Sequence, residues 1–313
     1  MPESPNSPGQ RAWSRFRRHR LALPSAIALA LLLLVVVLAP ILLHLAAGSQ
    51  IALRFDPERL SDAQFQPPSA AHWFGTDVHG RDLFARVLFG AGVSLLVGLV
   101  GAGVSLVIGV VWGAVAGYAG GRLDALMMRF VDVLYSLPSI ILVIVLITTL
   151  EGLLKSTLEK IHAPWLNDSA RLLFLFVGLG SVSWLNMARI VRGQVLSLRS
   201  RAFVDASRAM GAGPIHILSR HIIPNTLGVV IVYVTLTIPA IILYESFLSY
   251  LGLGVQPPMA SWGSLIAEGA DQINPIRTYW WLIACPGTIL VATLLAFNCL
   301  GDGLRDAWDV RSK

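Results

Sequence analysis

Six intervals of this chain are free of Asp, Glu, Lys and Arg and contain an apolar stretch long enough to span a bilayer. They run between Arg20 and Arg54, Arg86 and Arg122, Asp132 and Glu151, Arg171 and Arg189, Arg220 and Glu245, and Arg277 and Asp302. A helix needs about 20 apolar residues to cross the hydrocarbon core of a bilayer, with a lower limit of about 17 that the fourth interval only just meets. The expectation is an all-α, polytopic membrane protein with six transmembrane helices. Composition agrees: 55% of residues are hydrophobic and 13% charged, with a mean hydropathy of +0.68, outside the range of ordinary soluble domains.

The net charge of +6 is distributed by loop rather than gathered into a patch, which argues against nucleic acid. Arg11, Arg15, Arg17, Arg18 and Arg20 precede the first span, and Arg192, Arg199, Arg201, Arg208 and Arg220 fill the loop between the fourth and fifth. With an even number of spans these loops share a side with Arg305, Arg311 and Lys313, so the positive-inside rule predicts two cytoplasmic termini. The organisation read from this is a cytoplasmic tail over 1–20, with Met1 to Gln10 disordered, and a first transmembrane helix over 21–47. An external loop over 48–88 follows, then a core over 89–302 with five spans and a cytoplasmic loop at 192–225, and a cytoplasmic tail over 303–313. The apolar run from Leu21 to Ala47 exceeds the apolar segment of about 7–15 residues of a signal peptide, so a retained span is expected. Cys285 and Cys299 share the last span about 21 Å apart along a helix, too far to bridge.

Within the spans, Gly109, Gly113 and Gly117 recur every four residues and predict a face where another backbone approaches closely. Pro138, Pro239 and Pro286 predict kinks in the third, fifth and sixth spans. Trp165, Trp262, Trp280 and Trp281 fall near the external boundary, where an indole keeps its ring apolar and its N–H wet. The Gly- and Pro-rich stretch from Leu251 to Tyr279 predicts turns around one short helix, Ser261 to Ala270.

The cytoplasmic stretch from Arg199 to Asn225 predicts two short helices. Phe203, Ala206 and Met210 form one apolar stripe and Ile215, Leu218 and Ile222 another, separated by a hinge at Gly211-Ala212-Gly213-Pro214. Such a pair outside the bilayer docks either on a partner or on its own bundle. On the external side, Asp77 and Gly80 suit a tight turn, and Asp82 and Arg86 are spaced to pair on a helix. His72, Asp77, His79 and Asp82 are legitimate metal ligands by type, but the turn and helix roles of the two carboxylates are the preferred reading. Glu245, at the outer end of the fifth span, must face protein or water. Either it holds a structural partner, a loop amide or an Arg, or it is a path or gate residue. No catalytic residue, phosphate-binding GxxxxGK[ST] loop or HExxH is found, and ionisable residues for ion coupling are nearly absent from the spans, which disfavours an enzyme and a secondary transporter.

The cytoplasmic stretch resembles the EAA motif of ABC importer permeases: Asp205, Ala206, Ser207, Gly211 and Pro224 occupy its positions, with Asp205 for the usual Glu and Ser207 for a frequent Ala. HWFGTDVHGRDLFARVLFGAGVSL, residues 72–95, resembles the signature of the dipeptide, oligopeptide and nickel permease subfamily through Gly75, Thr76, Asp77, Gly80, Arg81 and Asp82, with Gly92 in place of a frequent Arg. Further matches are GYAGGRLDALMMRFVDVLYSLPS, VRGQVLSLR, ESFLSYLGLGVQPPMASWG and LAFNCLGDGLRDAWDVR, so the likeness runs from about Arg17 to Arg311 and favours the second of the subfamily's two permeases. The resemblance implies a type I permease bundle in a bacterial inner membrane. Phe203, Asp205, Ala206, Ser207, Met210, Gly211, Ile215, Leu218 and Pro224 would couple it to ATPases. It also implies a second, non-identical permease, two ATPase subunits carrying ATP and Mg, an external binding protein, and no cofactor on this chain. Peptides are the implied cargo, with nickel chelates and glutathione as alternatives.

Overall fold

Backbone amides and carbonyls in hydrocarbon must be satisfied within the segment that carries them, and a helix does this. The structure, a computed structural model, describes residues 8–46, 48–49, 55–161, 167–257 and 259–308; for 8–9, 11–12, 151, 153–161 and 167–174 the description stops at the backbone. Among the described residues the regular elements are helices, apart from one antiparallel bridge between Thr76 and Asp82. In chain order they are α1 (Pro8–Arg18), α2 (Ala22–Leu45), α3 (Leu83–Ala119), α4 (Gly121–Ser136), α5 (Ser139–Ile161), α6 (Asn167–Leu198), α7 (Ala202–Ala209), α8 (Pro214–Ile217), a π turn (Leu218–Ile222), α9 (Ile223–Tyr250), α10 (Trp262–Ala270) and α11 (Trp281–Trp308).

Among the described residues, four helices are long and apolar enough to cross a membrane: α2, α3, the run Pro214–Tyr250 and α11. A fifth is a bent pair, α4 with α5 as far as Leu150, turned through 92°. The six expected spans therefore stand at four or five. The interval between Arg171 and Arg189 lies in α6, whose side chains as far as Phe174 fall outside the description. Pro138 does more than kink its span: α4 ends at Ser136, Leu137 is extended (φ −83°, ψ 141°), and α5 begins at Ser139. Proline removes a backbone donor and drives the residue before it out of the helical region, which accounts for the break. Pro239 and Pro286 stay inside α9 and α11. The expected disorder up to Gln10 is corrected at its end, because Pro8 opens α1, a position where its missing N–H costs nothing.

The chain divides into two compact units. One comprises Met1–His19, Leu99–Ile241 and Gly301–Lys313. Here the expected glycine face of α3 meets α6: a Cβ on Gly109 would lie 2.5 Å from Met187 Cβ, one on Gly113 2.9 Å from Val191 Cβ, and one on Gly117 2.9 Å from Val195 Cβ. On α6, Trp184, Leu185 and Ala188 receive Val131 of α4, and Gly178 faces Ile147 of α5. Trp308 of α11 closes against Gly228 of α9.

The other unit comprises Arg20–Gly98 and Ile242–Leu300. Trp262 is fully buried at its centre and donates Nε1–H to the Val87 carbonyl at 3.1 Å; Trp281, also buried, donates to the Thr76 carbonyl at 3.3 Å. Both were expected at the membrane boundary. An indole whose N–H finds a carbonyl inside the protein has no need of the wet layer. Trp280 is exposed, and Trp165 lies outside the described residues. Helix α10 falls where expected and starts with a capping box in which Ser261 and Ser264 satisfy each other's backbone amides. Helix α2 buries only Ala22 and Leu29. Cys285 and Cys299 are unbridged.

Candidate functional site

The hinged helix pair forms as the sequence dictates. Gly211 takes φ +84° at the end of α7, where the amide of Ala212 returns to the Ser207 carbonyl, and Pro214 opens α8. The floor of the pair is Val204, Ile217 and Ile222, all fully buried against Val191 and Val195 of α6 and Val230 of α9. Its outer side is apolar as well: Phe203 is 41% exposed, Met210 81% and Ile215 82%, beside exposed Asp205 and Ala206. Asp205 is paired to Arg208 at 3.3 Å, and Pro224 is exposed at the start of α9.

Of the two predicted stripes, the first (Phe203, Ala206 and Met210) is exposed throughout, and the second needs correcting. Phe203 and Met210 form the open face of α7, while Val204 and Ser207 face inward. Ile215, Leu218 and Ile222 do not share a face, since Ile215 is exposed, Leu218 half-buried and Ile222 buried. A π turn carries one residue more than an α turn, which sets the helix back by roughly 100°. Because it falls at Leu218–Ile222, positions seven apart straddle it and part company. The π turn joins α8 to α9, so α8 is the beginning of one long helix, Pro214–Tyr250, rather than a separate short one.

Sequence reasoning missed an ion pair between α4 and α6. Arg192 grips Asp124 with both prongs of its guanidinium, Nε to Oδ1 at 2.5 Å and Nη2 to Oδ2 at 2.7 Å. Arg199 donates Nη1–H to the Gly117 carbonyl at 3.1 Å. The turn between α3 and α4 is thereby held to the end of α6. Further along, Arg189 pairs with Asp132 at 2.8 Å and lies 4.1 Å over the Tyr135 ring, with the two charged side chains 37% and 55% exposed. Separations of 57 and 68 residues hide both pairs from any local pattern. The available signal was the charges that interrupt two otherwise apolar helices.

In the second unit Gly75, Thr76, Asp77, Gly80, Arg81 and Asp82 come together in one knot. Gly75 and Gly80 take φ of +77° and +71°. Asp77 Oδ1 accepts the amides of His79 at 2.8 Å and Arg81 at 3.0 Å, and its Oδ2 accepts Arg81 Nε at 2.7 Å and Arg86 Nη1 at 2.8 Å. The Thr76 hydroxyl donates to the Ala63 carbonyl and accepts the Gln66 amide. The expected Asp82–Arg86 pair does not form. Asp82 sits before the first residue of α3, so its Oδ1 turns to the Ala85 amide at 3.0 Å, as a helix N-cap does, and its Oδ2 meets His72 Nδ1 at 2.8 Å. Arg86, nearly fully buried, reaches instead across to Glu268 of α10 at 2.5 and 3.0 Å. Among the described residues no three His, Cys, Asp or Glu side chains converge as metal ligands.

Glu245 is fully buried in the same unit. Ser249 donates to its Oε1 at 2.6 Å and Ser94 to its Oε2 at 3.4 Å; these hydroxyls in turn accept the Val255 and Trp262 amides, each at 3.1 Å. Ser261 reaches Ser249 at 3.3 Å. The partner of this carboxyl is thus a serine relay ending on backbone amides, in place of the loop amide or Arg that was expected to touch it directly.

Residues 109–313 match a family described as the binding-protein-dependent transport system inner membrane component. Residues 7–68 match the N-terminal TM domain of oligopeptide transport permease C. The dipeptide transport system permease protein DppC of Bacillus subtilis (strain 168) is 41% identical over 300 residues, covering 96% of this chain and 85% of the relative. The oligopeptide transport system permease protein OppC of Escherichia coli (strain K12) is 42% identical over 306 residues, covering 97% and 91%. Among solved structures, a chain of the inward-facing MetNI methionine ABC transporter superposes with a TM-score of 0.54 at 21% identity, covering 72% of this chain and 97% of that one, a likeness of fold.

Proposed function

Because the chain belongs to the family of binding-protein-dependent transport system inner membrane components, we propose that it is a permease subunit of an ATP-driven importer and forms part of the translocation path for di- or oligopeptides. Hydrolysis belongs to separate ATPase subunits that carry ATP and Mg. Peptide cargo is favoured over nickel chelates or glutathione because the relatives are named as dipeptide and oligopeptide permeases.

The observation that carries this reading is the open apolar face of Phe203, Met210 and Ile215 on a fully buried floor. It is the docking face for an ATPase subunit, with Asp205, Ala206, Ser207, Gly211, Leu218 and Pro224 shaping its rim and hinge. Closure of the ATPases pulls α7 and α8, and the Arg192–Asp124 fork carries the pull into α4. A half-exposed ion pair such as Asp132–Arg189 is costly against hydrocarbon, so it faces water or protein. This favours a second permease, non-identical in the second-permease reading, closing the path along that side. Helix α6 supplies the sixth span, both termini are cytoplasmic, and the knot at Gly75–Asp82 faces the external binding protein.

The test is uptake of a labelled tripeptide by bacteria lacking this chain and complemented with it. Uptake that follows cellular ATP and vanishes when Asp205→Arg is introduced supports the assignment. Uptake that persists without ATP and follows an ion gradient overturns it.

A further inference from the structure

Helix α1 is not needed for any step above, and its chemistry is distinctive. It contains no acidic residue, and Arg15, Arg17 and Arg18 fill its last turn, all exposed. Trp13 and Phe16, three residues apart, share a face and stack at 5.8 Å and 16°. Phe16 is 6% exposed, whereas Trp13 is 58% exposed. Three residues separate the end of α1 from the start of α2, so the chain holds that end within about 15 Å of the point where the first span begins.

We infer that α1 is a membrane-surface helix that binds anionic phospholipid headgroups, with Arg17 and Arg18 on the phosphates and Trp13 in the interfacial layer. Three observations converge on a lipid occupant: the charge is of one sign, the open aromatic is of the type that settles between headgroup and acyl chain, and the tether keeps the helix at the bilayer. Each arginine near an anionic surface shifts the bound-to-free ratio about five-fold, so the pair shifts it about 25-fold. The inference requires only that α2 spans the membrane and is independent of what the permease carries.

The experiment is hydrogen exchange on the full chain in nanodiscs of phosphatidylcholine, alone or mixed with phosphatidylglycerol. Amides of residues 9–18 should exchange at least about ten-fold more slowly in the anionic discs, and added salt should erase most of that difference. Arg17→Glu with Arg18→Glu should abolish it while α3 and α6 exchange as before; the milder Arg17→Gln with Arg18→Gln should reduce it. Equal exchange in the two lipids overturns the inference. So does protection that appears only on adding ATPase subunits and ignores lipid composition, which would make α1 a protein contact.

Discussion

Replacing Met210 and Ile215 together by Ala should detach the ATPase without harming the permease. Both side chains stand about four-fifths exposed in the isolated chain, at 81% and 82%, so neither contributes much to its fold. Fully burying a Met or Ile side chain is worth about 1.5–3 kcal/mol, so covering four-fifths of both gives roughly 2.5–5 kcal/mol. Ordering the two side chains returns about 0.5–1.5 kcal/mol each, and the alanines keep part of the contact, which leaves a loss of about 1–2 kcal/mol. At 1.4 kcal/mol per decade the ATPase Kd should rise roughly 5- to 30-fold. Anisotropy titration of labelled ATPase subunits against permease in nanodiscs reads this directly, with thermal unfolding of the permease alone as the control. The expected result is a large change in Kd with an unchanged Tm. A change in Kd under about three-fold would refute the docking reading, and an equal fall in permease Tm would show that the face is structural.

Three further outcomes follow from the packing. Gly113→Val should lower the detergent Tm by the equivalent of about 1–3 kcal/mol or more, because its Cβ meets the Ala188 carbonyl oxygen and Val191 of α6; Gly103→Ala, with nothing within 4 Å, should be tolerated. Arg86→Met should cost on the order of 3 kcal/mol by leaving Asp77 short of a cation, and Glu268→Met in the same chain should recover part of it in a double-mutant cycle read by thermal unfolding. Glu245→Gln should keep a Tm near that of the native chain because its amide oxygen still accepts from Ser249 while its NH2 donates to the Ser94 hydroxyl oxygen, whereas Glu245→Val should lose about 1–3 kcal/mol by stranding both hydroxyls.

Features written within one element were legible before any coordinates. The glycine face of α3, the hinge at Gly211 and Pro214, and helix α10 depend on spacing within a few residues, and all three form where expected. Features that depend on a distant partner were not. Arg86 has a carboxylate four residues back, yet its partner Glu268 lies 182 residues on, because Asp82 is committed to capping α3. The stripe through Ile215 and Ile222 failed because periodicity assumes one helical pitch, and the π turn between them changes it. Trp262 and Trp281 were misassigned for want of knowing that Val87 and Thr76 would offer carbonyls.

The break between α4 and α5 has a further implication, for water. Ending one helix and starting another at Pro138 strips the last carbonyls of the first and the first amides of the second of their intrahelical partners. The Ser136 hydroxyl caps the Val133 carbonyl at 2.7 Å, and Ser136, Leu137 and Pro138 are all exposed. Hydrocarbon offers nothing to the remaining groups, so wherever these three residues sit in the bilayer they must be hydrated or covered by protein. A cysteine introduced at Leu137 should therefore react with a water-borne maleimide whenever the partner does not shield it, and its reactivity over the transport cycle would time the wetting and drying of this seam.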